Sequence, residues 1–350
     1  MILSATAPDA IAACARSIST GELIAFPTET VYGLGADASS DAAVAKIFAA
    51  KGRPADHPLI VHVHSAQQVS HFASEVPAFA QRLIDSFWPG PLTVILPRRA
   101  GVATASAGGQ ASIGLRCPSH PVALQLLKAC AALGVLGVAA PSANQFGKVS
   151  PTTAQHVQAE LGNAITVLDG GACSVGIEST IIDCTRGAPV LLRPGVLSVA
   201  QINAALSALA DCKLLSNKEL NTSMRQGLQA DIADKPVAHA VPRASGTLES
   251  HYAPNARVRL MDAKAMQTAL DLLGEDAAHM AIYARAILRS KSERIIRRRM
   301  PDDALATAQQ LFAVLRLFDA QGVKLIWVET PPEGSEWDGV RDRLQRAAAS

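Results

Sequence analysis

Gly21-Glu22-Leu23-Ile24-Ala25-Phe26 reads as a β-strand ended by Pro27. The stretch after it, Thr28-Glu29-Thr30-Val31-Tyr32-Gly33-Leu34-Gly35, decides which kind of α/β protein this is. Gly33-Leu34-Gly35-Ala36-Asp37-Ala38 fits G-x-G-x-x-A, a variant of the dinucleotide fingerprint. In that motif the glycines follow the strand end at once, and an acidic residue about twenty positions on ends the next strand. Here residues 27–32 intervene and Asp56 precedes the next strand, so the dinucleotide reading fits poorly. The denser feature is Thr28, Glu29, Thr30 and Tyr32 on one loop. Their hydroxyls can hydrogen-bond a small polar ligand. Turn chemistry by Thr and Gly accounts for the same residues.

Outward from that loop, strand and helix signals alternate. Residues 41–50 predict a helix: Ser40 or Asp41 can cap it, Val44, Ile47 and Phe48 share a face, and Gly52 stops it. Strands are expected at 58–64, 92–96, 112–116, 135–140, 165–168, 180–183 and 190–192. Ser119 is expected to cap a helix with Pro121 in its first turn, and Ser150-Pro151 to open another. Ser198 caps a last helix reaching about residue 209. Periodicity then fades over 211–254, which reads as a linker. A second α/β unit follows, with strands at 258–261, 280–283, 295–298 and 324–329 and helices at 263–273, 302–320 and 336–348. In the helix at 302–320, Leu305, Ala308, Leu311, Leu315 and Phe318 are expected on one buried face. The alternation implies α/β layers on a mainly parallel sheet. The expected division is 1–208, a linker at 209–256, and 257–350.

Composition narrows the function classes. The 350 residues suffice for two domains at roughly 150 residues each. With 49% apolar and 18% charged residues the chain is globular. Its net charge of +2 argues against a general nucleic-acid binder. No apolar run reaches the roughly 20 residues of a membrane span, and the N-terminus lacks a signal-peptide pattern, so a cytoplasmic protein with no membrane partner is expected. None of the six cysteines forms a C-x-x-C pair, and in a reducing compartment they read as small buried hydrophobes.

Several positions could carry chemistry. Lys51-Gly52-Arg53-Pro54 sets two cations around a glycine, suited to a polyphosphate and equally to a helix C-terminus. His62 and His64 share a strand face near His57, but no carboxylate or cysteine joins them at a metal-ligand spacing. Arg116 and Arg193 end strands, where ligands of open α/β sheets gather. Lys51, Arg53, Arg116 and Arg193 would form a polyanion site if they converge. Phosphate-loop, nucleophile-elbow and H-E-x-x-H motifs are all absent, Gly147-Lys148 lacking the upstream Gly and the following hydroxyl.

Together these segments resemble the threonylcarbamoyl-adenylate synthase family in its two-domain form. The resemblance rests on Phe26-Pro27-Thr28-Glu29-Thr30-Val31-Tyr32-Gly33-Leu34, on Lys51-Gly52-Arg53-Pro54 with Pro58-Leu59-Ile60-Val61-His62, and on Trp88-Pro89-Gly90-Pro91-Leu92-Thr93. It continues through Pro141-Ser142-Ala143-Asn144, Ile177-Glu178-Ser179-Thr180-Ile181, Leu192-Arg193-Pro194-Gly195 and, in the linker, His251-Tyr252-Ala253-Pro254. It implies a twisted open-sheet catalytic domain with a concave ligand cavity, and a smaller Rossmann-like α/β C-terminal domain. The implied activity joins L-threonine, bicarbonate and ATP, with Mg²⁺, into threonylcarbamoyl-AMP and pyrophosphate. Other proteins would then transfer the threonylcarbamoyl group to an adenosine of tRNA.

By the same resemblance, Thr30, His62, Arg116 and Ala140 would hold threonine, with either Ser179 or Thr180 completing the pocket. Lys51 and Arg53 would grip phosphates as the catalytic cations. His57, Ser112, Ser142, Ser150, Arg193 and Tyr252 would bind nucleotide, and no protein ligand to a metal is implied. Ser112 stands where relatives often have Thr, His57 where Asn is common, and Ser245-Gly246-Thr247 departs from the usual linker form. No covalent enzyme intermediate is expected. Two competitors remain. One is an RNA-binding module using Arg289, Lys291, Arg294 and Arg297-Arg298-Arg299. The other is a carbamoyl-transfer maturation factor, which would add cysteine-rich zinc segments that this chain lacks.

Overall fold

A computed structural model describes residues 1–209, 212–225, 241–247 and 251–349; the remaining parts of the expected linker, and residue 350 of the second domain, lie outside the described residues. The first two hundred residues supply ten strands: β1 (Ile2–Ser4), β2 (Ile24–Phe26), β3 (Gly33–Asp37), β4 (Ile60–His62), β5 (Leu92–Pro97), β6 (Ser112–Arg116), β7 (Val138–Ala139), β8 (Thr166–Asp169), β9 (Thr180–Asp183) and β10 (Val190–Arg193). They join one sheet in the order β1-β8-β2-β3-β7-β4-β6-β5-β9-β10. The expectation of a mainly parallel sheet fails here. The β2·β3, β3·β7, β4·β7, β5·β6 and β9·β10 pairs are antiparallel, against four parallel pairs. The reason is local: β2 and β3 are joined by only the short loop 27–32, which can return the chain antiparallel but cannot cross over.

β3 also corrects the fingerprint reading. The G-x-G-x-x-A stretch is a buried strand and not a phosphate turn. A Cβ at Gly35 would stand 2.7 Å from the Phe26 ring and 2.8 Å from Val138, so this glycine permits close strand packing.

Helices cover both faces. These are α1 (Ala10–Ser19), α2 (Asp41–Lys51), α3 (Val69–Phe72), α4 (Ala78–Phe87), α5 (Pro121–Ala132), α6 (Ala154–Leu161) and α7 (Val199–Leu206), with α8 (Asn217–Arg225) in the linker. α1 and α5 bury Cys14, Ile18, Leu126 and Cys130 against Phe26 and Leu168. On the other face Val44, Ile47, Leu83 and Ile202 pack against Leu34, Val61 and Val94. Ser40 and Ser198 cap α2 and α7 as expected, the latter in a capping box with Gln201. Two expected caps are displaced. His120 and not Ser119 caps α5: the helix starts at Pro121, the His120 ring accepts from the Val122 N–H at 3.2 Å, and the Ser119 N–H donates to the Glu29 carboxylate at 3.1 Å. α6 begins at Ala154 under a Thr153 cap, and the Ser150 hydroxyl donates to Glu178 instead.

The second domain has β11 (Arg257–Met261), α9 (Ala263–Leu273), β12 (Met280–Ala284), β13 (Ile296–Arg299), α10 (Ala304–Ala320), β14 (Leu325–Glu329) and α11 (Asp338–Ala348). Its sheet is wholly parallel, in the order β11-β14-β12-β13. α10 is rotated slightly from the expected face. Leu305 is 60% exposed, while Ala304, Ala308, Leu311, Leu315 and Phe318 form the buried seam. The domains share a core: Val31, Val149, Ile177 and Tyr252 pack with Phe312, Trp337, Val340 and Leu344. Among the described residues, no helix is long and apolar enough to cross a membrane.

Candidate active site

The first expectation to test is whether the cations converge, and three of four do. Arg53 follows α2, Arg116 ends β6 and Arg193 ends β10, and all three line one cleft of about 520 Å³, its mouth included. Three buried arginines against one lining carboxylate, Glu178, and one behind it, Glu29, leave the cavity with an excess of positive charge suited to an anionic ligand.

One end of the cleft is an amino-acid-sized corner. Arg116 donates from Nη1 to the Thr30 Oγ1 at 2.8 Å and ion-pairs through Nη2 with Glu29 at 2.7 Å. Thr30 is fixed in turn by Thr28, hydroxyl to hydroxyl at 2.8 Å, while Thr28 donates to the Val31 carbonyl at 2.6 Å. The hydroxyl-rich loop after β2 is therefore locked by its own threonines. His62, at the end of β4, faces the same corner edge-on to Phe26. Burial, aided by Arg116, pushes its imidazole down to about 3, so it is neutral at pH 7. Ala140 and Ser142 close this side.

The other end is basic. Arg53 donates to the Pro58 carbonyl at 2.9 Å and to the Ser245 hydroxyl at 3.0 Å, and lies over the Phe146 ring at 5.5 Å. Burial lowers its guanidinium to about 10. Arg193 donates from Nε and Nη2 to the Ser179 carbonyl at 3.1 and 2.9 Å, and from Nη1 to the Ser245 carbonyl at 2.8 Å. Ser245-Gly246 thus forms a strap over the cleft, held by the two arginines. His251 and Tyr252 line the cleft beside it.

Other expected residues take supporting places. Lys51 is 2% exposed and directs Nζ to the carbonyls of Ser142, at 2.5 Å, and Asn144, beneath the cleft wall. Burial, with Arg53 beside it and against the pull of Glu160, lowers its ammonium well below the ordinary value. Ser179 faces the cleft, whereas Thr180 sits behind it on β9, fully buried. Ser150 lies behind Glu178. His57 is half-buried against Phe146. Ser112 lines an adjoining cavity of about 290 Å³ with Ile60, Ile95 and Ile181, roofed by Arg243-Ala244-Ser245. The cluster Arg297-Arg298-Arg299 is on β13, the edge strand of the second sheet, away from the cleft lining.

Five buried atoms on the cleft lining have no hydrogen-bond partner among the described residues: Arg53 Nε, His62 Nδ1, Arg116 Nη2 (which meets Glu29 as an ion pair), His251 Nδ1 and Tyr252 OH. Gathered on one cavity, they are available to a polar ligand.

Comparison with known proteins settles the family. A family model described as "Telomere recombination", that of the Sua5, YciO and YrdC group, matches residues 16–195, and one described as "Threonylcarbamoyl-AMP synthase, C-terminal domain" matches 197–349. The threonylcarbamoyl-AMP synthase of Pyrococcus abyssi (strain GE5 / Orsay) is 35% identical, over 95% of this chain and 92% of its own. The chain belongs to the threonylcarbamoyl-AMP synthase family. The Bacillus subtilis (strain 168) synthase is also 35% identical, over 97% of this chain and 92% of its own. The crystal structure of P. abyssi Sua5 complexed with L-threonine superposes with a TM-score of 0.83 at 34% identity, covering 99% of this chain and 97% of that one.

As a synthase of this family the chain holds three cleft groups that sequence reasoning did not assign. Glu29 stood on the hydroxyl-rich loop without an assigned role and lies just behind the lining on Arg116, and His251 stood in the quoted linker motif. Glu178 stood in the quoted Ile177–Ile181 segment, but its partner Arg343 could not be found from sequence, lying 165 residues away in the other domain.

Proposed function

We propose that the chain makes threonylcarbamoyl-AMP from L-threonine, bicarbonate and ATP, with release of pyrophosphate. The observation that carries this reading is the single cleft with two chemically distinct ends. At one end a buried Arg116 beside a fixed threonine hydroxyl and a neutral His62 suits a small amino acid, its carboxylate on Arg116 and its side-chain hydroxyl among Thr30 and His62. At the other, Arg53 and Arg193 suit a triphosphate. The adjoining cavity, apolar but for Thr93, Gln110, Ser112 and the strap, has the size and lining for a nucleobase, with Ser112 as a hydrogen-bonding group.

The threonine amine and bicarbonate condense to a carbamate with loss of water. A carbamate oxygen then attacks the α-phosphorus of ATP, and the bond to the pyrophosphate leaving group breaks. Two anions must meet, so the chain's contribution is positioning and charge neutralisation by Arg53, Arg116 and Arg193. Lys51 supports the wall that carries Ser142. Among the described residues no cluster of His, Cys, Asp or Glu suits a resident metal. Both carboxylate oxygens of Glu178, the one acid on the cleft lining, are engaged by Ser150 and Arg343. Mg²⁺ would enter with the nucleotide as part of the substrate.

The strap at 245–246 and Tyr252 would shield the labile adenylate from water. The product passes to threonylcarbamoyl-transfer proteins acting on tRNA. All six cysteines are free and five are buried, in keeping with a cytoplasmic, reducing setting. The test is pyrophosphate release with each substrate omitted in turn. Release should require threonine, bicarbonate and ATP together; release without threonine would overturn the reading.

A further inference from the structure

Arg343 belongs to α11 of the second domain, yet apart from one bond from Nη1 to the neighbouring Asp342 carboxylate at 2.7 Å its guanidinium is spent on the cleft wall of the first. It is 0% exposed. Its Nε meets the Glu178 carboxylate at 2.8 Å, Nη2 donates to the Glu178 carbonyl at 3.1 Å, and Nη1 donates to the Pro194 carbonyl at 2.8 Å. Glu178 and Pro194 adjoin Ser179 and Arg193, which line the cleft from two different strands. One guanidinium therefore sets the spacing between the two wall segments. Its plane also lies 5.2 Å from the Tyr252 ring, the cleft residue beside the strap. α11 can come this close because residue 339 is glycine; a Cβ there would stand 2.4 Å from the Gly195 carbonyl.

The charge argument is stronger than the geometric one. Glu178 is the single acid among residues lining a cleft that otherwise presents Arg53, Arg116 and Arg193. Burial alone would push its carboxyl up, and Arg343 with Arg193 more than reverses this, so it is a carboxylate at pH 7. An unneutralised carboxylate there would repel the very phosphates the arginines attract. Such a group needs a partner that does not itself compete for the nucleotide, and Arg343 reaches it from behind, outside the cleft lining.

We propose that Arg343 is a positioning residue of the synthase site: through Glu178 and Pro194 the second domain fixes the nucleotide wall and cancels its one negative charge. This rests on the nucleotide reading given above. It gives the second domain a direct part in ATP binding, beyond being packed against the first.

The test is ATP binding by calorimetry together with steady-state kinetics at varied ATP. Arg343→Met should weaken ATP binding and raise KM for ATP by about tenfold or more, with a smaller change in kcat. Arg343→Met combined with Glu178→Gln should restore ATP affinity to within about threefold of the parent, since no buried charge is then left unpaired. Arg343→Lys, which keeps the charge but not the fork that spans Glu178 and Pro194, should fall between the parent and Arg343→Met, and it carries the test should Arg343→Met not fold. A merely structural arginine would not be rescued by Glu178→Gln. The proposal is overturned by parent-like ATP affinity in Arg343→Met, by a defect that Glu178→Gln leaves unchanged, or by Arg343→Lys as weak as Arg343→Met. Failure of the parent to bind ATP would instead sink the nucleotide reading itself.

Discussion

The two sheets handle charge in opposite ways. In the first domain cations and acids are drawn inside: Glu29, Lys51, Arg53, Arg116, Glu178 and Arg193 are all buried, at strand ends, on loops and, for Lys51, at the end of α2. In the second, three arginines stand outward on the edge strand β13, where charge also blocks further strand pairing. Its Arg285–Glu329 pair is only partly covered. Arg343 is the exception, a fully buried arginine of the second domain, and it turns toward the first. Charge is also buried away from the cleft, at Asp183 beside Arg186 and at Glu329 beside Arg285, but the densest group of buried charges gathers on and behind the cleft, and Arg343 joins it across the domain boundary. A regular parallel sheet satisfies its own backbone and needs no polar interior. The mixed first sheet, broken by short strands and tight returns, leaves its strand ends free to present charged groups.

The sharpest way to break the comparison is one arginine from each domain. Arg116→Ala removes the partner of a buried carboxylate and the proposed threonine anchor. Stability should fall by about 3–5 kcal/mol, because Glu29 is left uncompensated. Threonine-dependent pyrophosphate release should fall with a KM for threonine raised by roughly 30-fold or more. Arg285→Ala removes an equally short pair, 2.6 Å, that is more exposed. It should cost less, about 1–3 kcal/mol, because the Arg285 and Ala286 N–H groups stay on Glu329, and it should leave release unchanged. Denaturant titration and the release assay on both variants decide it; equal losses would mean the cleft is not where the buried charge matters.

The same contrast explains what was legible beforehand. The second domain was read almost element for element, because its apolar strand at Leu325–Glu329 and amphipathic α10 follow the simple periods of a parallel sheet and its helices. Even there Leu305 misled, being one residue off the seam. In the first domain the fold class and most strands were legible, while two strands and the antiparallel pairings were not. β1 and β3 are short, and β3 is Gly-rich, so neither shows a strand period. The Arg53, Arg116 and Arg193 convergence could be posed from strand ends but not settled, since it depends on a strand order with β7 inserted between β3 and β4. The tie from Arg343 to Glu178 carries no local signal at all.

A smaller effect should come from the seam between the domains. At Gly339 the neighbour is backbone, the Gly195 carbonyl 2.4 Å from a built Cβ, so Gly339→Ala must push α11 away from the wall. We expect a loss of about 1–3 kcal/mol by denaturant titration. Release should decline in proportion to any weakening of ATP binding. Gly322→Ala, at a φ of 72° but with nothing within 4 Å, serves as the reference for backbone strain alone. A Gly339→Ala protein no worse than Gly322→Ala would mean the wall tolerates α11 at a greater distance.

The gentlest test is pH. His62 and His251, both on the cleft lining, are held down to about 3 by burial, with Arg116 adding to the effect at His62. In the unfolded chain a histidine protonates near 6.5. Between pH 6.5 and 3 the unfolded state therefore binds more protons than the folded one. The stability each neutral imidazole contributes is present above pH 6.5 and is lost as pH falls through that window. Each can give a slope of up to about 1.4 kcal/mol per pH unit. Unfolding free energies measured at pH 7, 6 and 5 should decline on acidification, and His62→Gln should flatten the curve by one such slope. The same measurement on His279→Gln, an exposed histidine of the second domain, shows how much of any change comes from losing an imidazole as such. If both substitutions change the slope alike, the acid sensitivity does not come from the cleft, and the contrast between a charge-bearing first domain and a charge-shedding second one loses its thermodynamic consequence.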